Sequence, residues 1–135
     1  MCSKSYKCFE LEIADTESKR SKGLMFRNEL DISKGMIFIY DSPGLVKMWM
    51  RNTLIPLDII FIRDKTIIKI VNNALPCFNN NCINYESNGF IDTVIEVNAG
   101  ISRKIGLRVG DSIDLLEDIS KNHDPTHSNK YKFYY

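Results

Sequence analysis

The sequence predicts a mainly β protein, α+β by content: a compact, largely antiparallel sheet curled toward a barrel, with two short helices plugging or flanking its ends. Three observations carry this prediction. At least six short segments have strand-like patterning, most connections between them are of hairpin length, and only two segments carry helix caps and stops. A chain of 135 residues buries roughly two-thirds of its unfolded surface, so it needs no metal or disulfide merely to fold.

The elements follow in order. "CFELEIAD" puts Phe9, Leu11 and Ile13 on one face and Glu10 and Glu12 on the other, the alternation of a half-buried strand. Thr16 is placed to cap a short helix through "ESKRSK", with Gly23 to end it. "GMIFIY" (35–40) reads as a second strand closed by the turn signal "DSPG", and "VKMWM" (46–50) as a third. "LDIIFI" is a fourth, joined by a hairpin turn at "RDKT" to a fifth, "IIKIVNN". A long loop rich in Asn, Pro and Cys runs from Ala74 to about Gly89. The sixth strand, "IDTVIEV", leads to Asn98, which suits a helix cap for "AGISRKI", with Gly106 as the stop. "LRVGDSIDLLE" adds a Gly-Asp turn and a last strand. One domain is expected over residues 8–117, after an N-terminal extension (1–7) and before a polar tail (118–135). The tail reads as flexible; the alternative is that Tyr131, Phe133 and Tyr135 add a strand to an open edge.

Composition excludes some classes of function. The net charge is +1 and Lys and Arg are dispersed, which argues against a nucleic-acid or anionic-membrane partner. No apolar run approaches the ~20 residues of a transmembrane segment. Cys2 followed by Ser3 resembles the start of a mature lipoprotein, a lipid anchor with Met1 standing where a signal was removed; a cytosolic start with an incidental Cys2 is the other reading.

Chemistry is sought first at "MWMRNTLIPLDIIFI" (48–62), where Arg51-Asn52-Thr53 interrupts two apolar stretches and Asp58 sits inside the second. Pro56 holds Ile55 extended, and a carboxylate among Leu57, Ile59 and Ile60 is desolvated unless it is paired. As a pocket, Trp49 is a wall, Arg51 an anion anchor, Asn52 and Thr53 hydrogen-bonding groups, and Asp58 an acid or base. As a structural knot, Asp58 instead accepts bonds from backbone N–H groups or from Asn52 and Thr53, and residue type alone favours this. Arg27, in "GLMFR", either faces a pocket or pairs with Glu29 or Asp31. Cys77 and Cys82 admit three fates: a disulfide, a metal site that lacks further ligands, or a redox or nucleophilic thiol for which the loop supplies neither base nor helix terminus; an oxidising compartment favours the disulfide and a reducing one two free thiols. Asp124-Pro125 keeps His123 and His127 off a common helical face, which makes them a poor metal pair. With no P-loop, dinucleotide fingerprint or nucleophile–base set, no cofactor is implied.

Taken together, "IADTESKRSKGLMFRNEL", "GMIFIYDSP", "WMRNTLIPLDIIFI", "NNALPC" and "VIEVNAGISRKIGLRVGDSI" resemble the small prokaryotic proteins grouped as domain of unknown function 192, from about Phe9 to Leu116. The block "WM-basic-NT-x-I-P-L-D" is the most specific part of the resemblance. The family implies a small β-rich domain, often exported or lipid-anchored, and no established activity. Its paired loop cysteines correspond to Cys77 and Cys82, which favours one disulfide and a periplasmic or cell-envelope location over a cytoplasmic one. The Asn-rich "CFNNNC" loop and the long tail depart from the pattern.

The expected function is therefore a non-catalytic binding module of the cell envelope, presenting the rim from Trp49 to Asp58 to a small polar ligand or a partner protein. One alternative is a hydrolase or lyase with Asp58 as general base and Arg51 or Arg27 as anion anchor. Another is an assembly scaffold acting through a sheet edge or the tail.

Overall fold

A computed structural model of the chain describes residues 8–118 and 130–134. The expectations for Cys2 and the 1–7 extension, and for His123 and His127, lie outside the described residues. In order the elements are β1 (Cys8–Ala14), α1 (Glu17–Lys22), β2 (Lys34–Gly44), β3 (Lys47–Met48), β4 (Leu57–Arg63), β5 (Thr66–Ala74), β6 (Tyr85–Glu86), β7 (Ile91–Asn98), α2 (Ile101–Lys104), β8 (Asp114–Asp118) and β9 (Lys130–Tyr134).

Seven strands form one sheet in the order β5-β4-β7-β2-β1-β9-β8, and β3 and β6 form a second, two-stranded sheet. Among the described residues every pairing between named strands is antiparallel except β1 with β2. A parallel pair needs a crossover, and α1 lies on it. The large sheet is curled into a half-barrel. Its opposite edges are tied where the N–H of Ile67, in β5, bonds to the carbonyl of Asp111 at 2.9 Å. The N–H of Ile113, just before β8, bonds back to the carbonyl of Lys65 at 2.8 Å. The mainly β, barrel-like architecture with two short helices is thus the one the hydrophobic pattern predicts.

Both faces of the sheet are covered. Met36, Phe38, Ile59, Phe61 and Val94 belong to one core, which β3, the Leu24 segment and the Met50 loop close over. Ile37, Ile60, Ile95 and Val97 point the other way, into a core shared with Leu11, Ile101 and Phe133. Central strands β4 and β7 are therefore buried on both sides, which explains the near-continuous apolar run of "LDIIFI".

Local signals act largely as the sequence indicates. Thr16 Oγ1 accepts the Lys19 N–H at 3.1 Å, and Gly23 ends α1 at φ +47°. Asp64 and Lys65 both take positive φ, as the two-residue turn of a β4–β5 hairpin requires. Four expectations are corrected. "DSPG" does not end β2, which continues through an irregularity between Ile39 and Gly44 to pair Gly44 with Ile91. Only Lys47–Met48 of "VKMWM" is strand, paired with β6 inside the stretch expected to be loop. Asn98 closes β7 and does not cap α2: its Nδ2 donates to the Leu30 carbonyl at 2.7 Å, and left-handed Gly100 precedes the helix. Residues 130–134 follow the alternative given for the tail and not the flexible reading: they form β9, which pairs with the edge of β1 and carries β8 beyond it.

Candidate functional site

Alternation along β2 and β7 decides which side chains meet. Phe38 and Tyr40 share a face of β2, and Glu96 shares a face of β7 with Val94, next to Met36 and Ile59 on the flanking strands. Over this face α1 and the segment after it bring Arg20, Lys22, Leu24 and Met25, while β3 and the following turn bring Lys47, Met48, Trp49 and Thr53. Between them lies a cavity of about 300 Å³. Trp49, 44% exposed, forms part of its rim, and Glu96, 4% exposed, is its deepest charged residue.

The polar groups of the cavity are unequally satisfied. The Arg20 guanidinium donates to the Ile39 carbonyl at 2.8 Å and lies 5.1 Å over the Tyr40 ring. The Tyr40 hydroxyl donates to the Met48 sulfur at 3.7 Å. Burial raises the pKa of that phenol, Arg20 opposes the rise and Glu96 adds to it. Among the described residues the Glu96 carboxyl has neither an ion pair nor a side-chain hydrogen bond. Burial alone pushes its pKa up to about 8, so at neutral pH the group is a protonated acid, able to donate.

The residues singled out in the sequence separate into three sets. Trp49 and Thr53 line the cavity. Arg51 and Asn52 stand behind it. The Arg51 guanidinium lies 5.5 Å over the Trp49 ring, and Asn52, at φ +55°, joins three segments through its backbone. Its N–H bonds to the Cys77 carbonyl at 2.9 Å and its carbonyl accepts the Phe26 N–H at 2.8 Å. Arg27 and Asp58 lie elsewhere. Arg27 pairs with Glu12, not with Glu29 or Asp31. Asp58, with no exposed surface, accepts the N–H groups of Asn73 (2.9 Å), Gly100 (3.1 Å) and Ser102 (3.0 Å) and the Ser102 hydroxyl (2.7 Å). A carboxylate from β4 thus does for the start of α2 what a capping side chain would, on the face of the sheet opposite the cavity. This is the structural knot, with partners in β5 and α2 in place of Asn52 and Thr53, and it leaves Asp58 no position from which to act as a general base in the cavity.

Cys77 and Cys82 form a disulfide, with Cα atoms 5.8 Å apart, and the described residues contain no free cysteine. The Arg51 to Thr53 turn docks on this loop, since the Cys77 N–H also bonds to the Met50 carbonyl at 3.1 Å. Disulfides persist in oxidising compartments, so the bridge points away from the cytoplasm. No described helix is long and apolar enough to cross a membrane.

Glu96, Tyr40 and Arg20 were not among the residues picked out by sequence. "IDTVIEV" reads as alternation with Glu96 on the solvent side, a reading that holds only for a sheet covered on one face. Val94 on the same side of the strand was the available signal: it marks that face as buried too, and a Glu there as anomalous.

Fold, cavity and loop together define a small disulfide-pinned β module with one buried acid in a surface cavity. The chain belongs to the family described as DUF192, an uncharacterised group whose model matches residues 2–115. It is similar to a crystallised protein of unknown function from Novosphingobium aromaticivorans DSM 12444, at 40% identity over 75% of this chain and 71% of that one, with a TM-score of 0.70. It is also similar to a protein from Sinorhizobium meliloti 1021 that carries the name of a proposed transcription regulator, at 32% identity over 82% of this chain and 95% of that one, TM-score 0.72. No curated protein matches it.

Proposed function

We propose that this chain is a non-catalytic binding module of the cell envelope whose ligand, a small polar molecule, occupies the Glu96 cavity. The observation that carries the reading is Glu96, 4% exposed, whose carboxyl opens onto the cavity and has no protein partner there among the described residues. Partial removal from water raises the pKa of this carboxyl, and desolvated titratable groups set in a cleft are typical of functional sites. Trp49 and Thr53 keep the roles of wall and hydrogen-bonding group, and Glu96 replaces Asp58 as the titratable group. Binding is favoured over catalysis because neither aliphatic hydroxyl of the cavity lining is bonded to a base among the described residues: that of Thr53 donates to the Arg51 carbonyl, and that of Ser21 faces no such partner. The disulfide supports an envelope location. The dispersed charge gives no reason to transfer the regulatory name of the Sinorhizobium protein to this chain.

The test uses Trp49, the single tryptophan of the chain, as a built-in reporter. The full chain is titrated with a panel of small carboxylates, amines, amino acids and sugars, following tryptophan emission and thermal unfolding. A true ligand shifts both signals in the wild type and in R51A, and neither in E96L. D58N is expected to unfold at lower temperature yet keep the ligand-induced rise. A panel that moves neither signal, or a ligand whose effect is unchanged in E96L, overturns the proposal.

A further inference from the structure

The geometry points to a zwitterion as the ligand: a small molecule of amino-acid type that places an ammonium on Glu96 and a carboxylate beside Arg20 and Lys22 at the rim. This rests on the binding reading above and adds the charge pattern of the ligand.

The cavity holds groups of opposite charge type that do not neutralise one another. Facing Glu96 from α1 are Glu17, Arg20 and Lys22; from β2, Tyr40; and from β3, Lys47. The neighbouring β4 offers no charge on this side, because Asp58 points into the opposite core and is bound to α2. Arg20 is held by the Ile39 carbonyl and the Tyr40 ring, and Lys47 faces Glu86 at 3.8 Å, so neither is an ion-pair partner of Glu96. An anion alone satisfies the rim and leaves the acid on the floor with no cation to ionise against. A cation alone satisfies the floor and meets a rim with three basic side chains and one acidic one. A molecule carrying both charges satisfies both places.

Three further features suit this ligand. The aromatic side chains of Trp49, Tyr40 and Phe38 line the same cavity and keep it from being wholly polar. Leu24, Met25 and Met48 supply an apolar wall for a hydrocarbon side chain. A volume of about 300 Å³ lies at the small end of ligand pockets, ~300–1,000 Å³, which suits an amino acid better than a nucleotide or a peptide.

Binding has a defined proton balance. Without ligand Glu96 is protonated at pH 7, its pKa being pushed up to about 8 by burial. When an ammonium docks, the carboxyl ionises, its proton leaves to solvent, and a carboxylate–ammonium pair replaces the neutral acid. No bond other than that O–H breaks. About one proton is therefore released per ligand bound at pH 7.

The experiment compares L-leucine and 5-aminopentanoate with their single-charge counterparts: 4-methylpentanoate and 3-methylbutylamine for the first, pentanoate and butylamine for the second. Affinities come from Trp49 emission, and proton release from calorimetry at pH 7 in two buffers of different ionisation enthalpy. At least one zwitterion is expected to bind roughly tenfold or more tighter than both of its counterparts and to release about one proton. E96Q should abolish the proton release and reduce the zwitterion to the affinity of its carboxylate counterpart. R20M should reduce it to that of its amine counterpart. Carboxylates that bind as tightly as zwitterions, with no proton release, overturn this inference and leave the binding site standing. So does binding of other panel compounds at Glu96 with no response to these six. Absence of any Trp49 response to every compound overturns both.

Discussion

Asp58 and Glu96 are acidic residues on adjacent central strands, Asp58 opposite Val97 and Glu96 opposite Ile59, and they face opposite cores. Burial is nearly complete for both; their partners differ. Asp58 receives four donors, whereas burial governs Glu96 and raises its pKa from 4.5 to about 8. The direction fixes a pH dependence. Between those two values the folded protein binds more protons than the unfolded chain, so stability falls as pH rises through the window and levels off above it. Each pH unit of the window costs at most about 1.4 kcal/mol. E96Q lacks this loss, and its stability relative to wild type should grow by roughly 2–5 kcal/mol between pH 4.5 and 8.5. Urea unfolding of both proteins across that range measures it, and a gap independent of pH would mean that Glu96 ionises without penalty in the fold. The two residues also show where reading the sequence succeeded. Asp58 announces its burial because apolar residues flank it on both sides, while Glu96 sits in an alternating strand where a charge looks ordinary.

The cavity face of β7 depends on how closely β2 approaches it, and Gly35 sets that approach. A Cβ built on Gly35 would lie 2.3 Å from the Glu96 carbonyl oxygen and 3.0 Å from Leu11 and Val97 side-chain carbons. The requirement is one of space, imposed where backbone meets backbone, so no rotamer change relieves it. G35A should force β2 away from β7 and lower stability by ~2–3 kcal/mol or more, together with loss of the ligand response at Trp49. Unfolding at the wild-type midpoint would show that the strands can separate without cost. Elements whose signal is local were readable from sequence, as Thr16 with α1 and the Asp64-Lys65 turn demonstrate. Elements specified by distant partners were not. The start of α2 is bonded by Asp58 across 42 and 44 residues of sequence, and β3 is strand only where β6 pairs with it.

At the scale of the whole molecule, the curl of the sheet was legible because strand number and hairpin spacing leave few alternatives, and the resemblance to the family covers the same span. The parallel pairing of β1 with β2 was not, since short crossovers and hairpins look alike in sequence until a helix is seen to lie between the strands. Nor did composition reveal β9, whose polar neighbours hide it; only the spacing of Tyr131 and Phe133 hinted at a strand. Yet β9 is interior, bonded to β1 on one side and β8 on the other. Phe133, 1% exposed, stacks on Phe9 with ring centroids 5.9 Å apart, in the core opposite the cavity. Truncation after Glu117 should therefore uncover the edge of β1 and the Phe9 ring together, lowering the unfolding midpoint and promoting association through the exposed strand. F133A removes the ring but keeps the strand, so it should cost about 3–5 kcal/mol without association. In that variant the ligand-induced change in Trp49 emission should survive at temperatures below unfolding, because the cavity lies on the other face of the sheet. Light scattering and unfolding curves separate the two effects, and a truncated chain that stays monomeric and unfolds at the wild-type midpoint would show that β9 is dispensable to the fold.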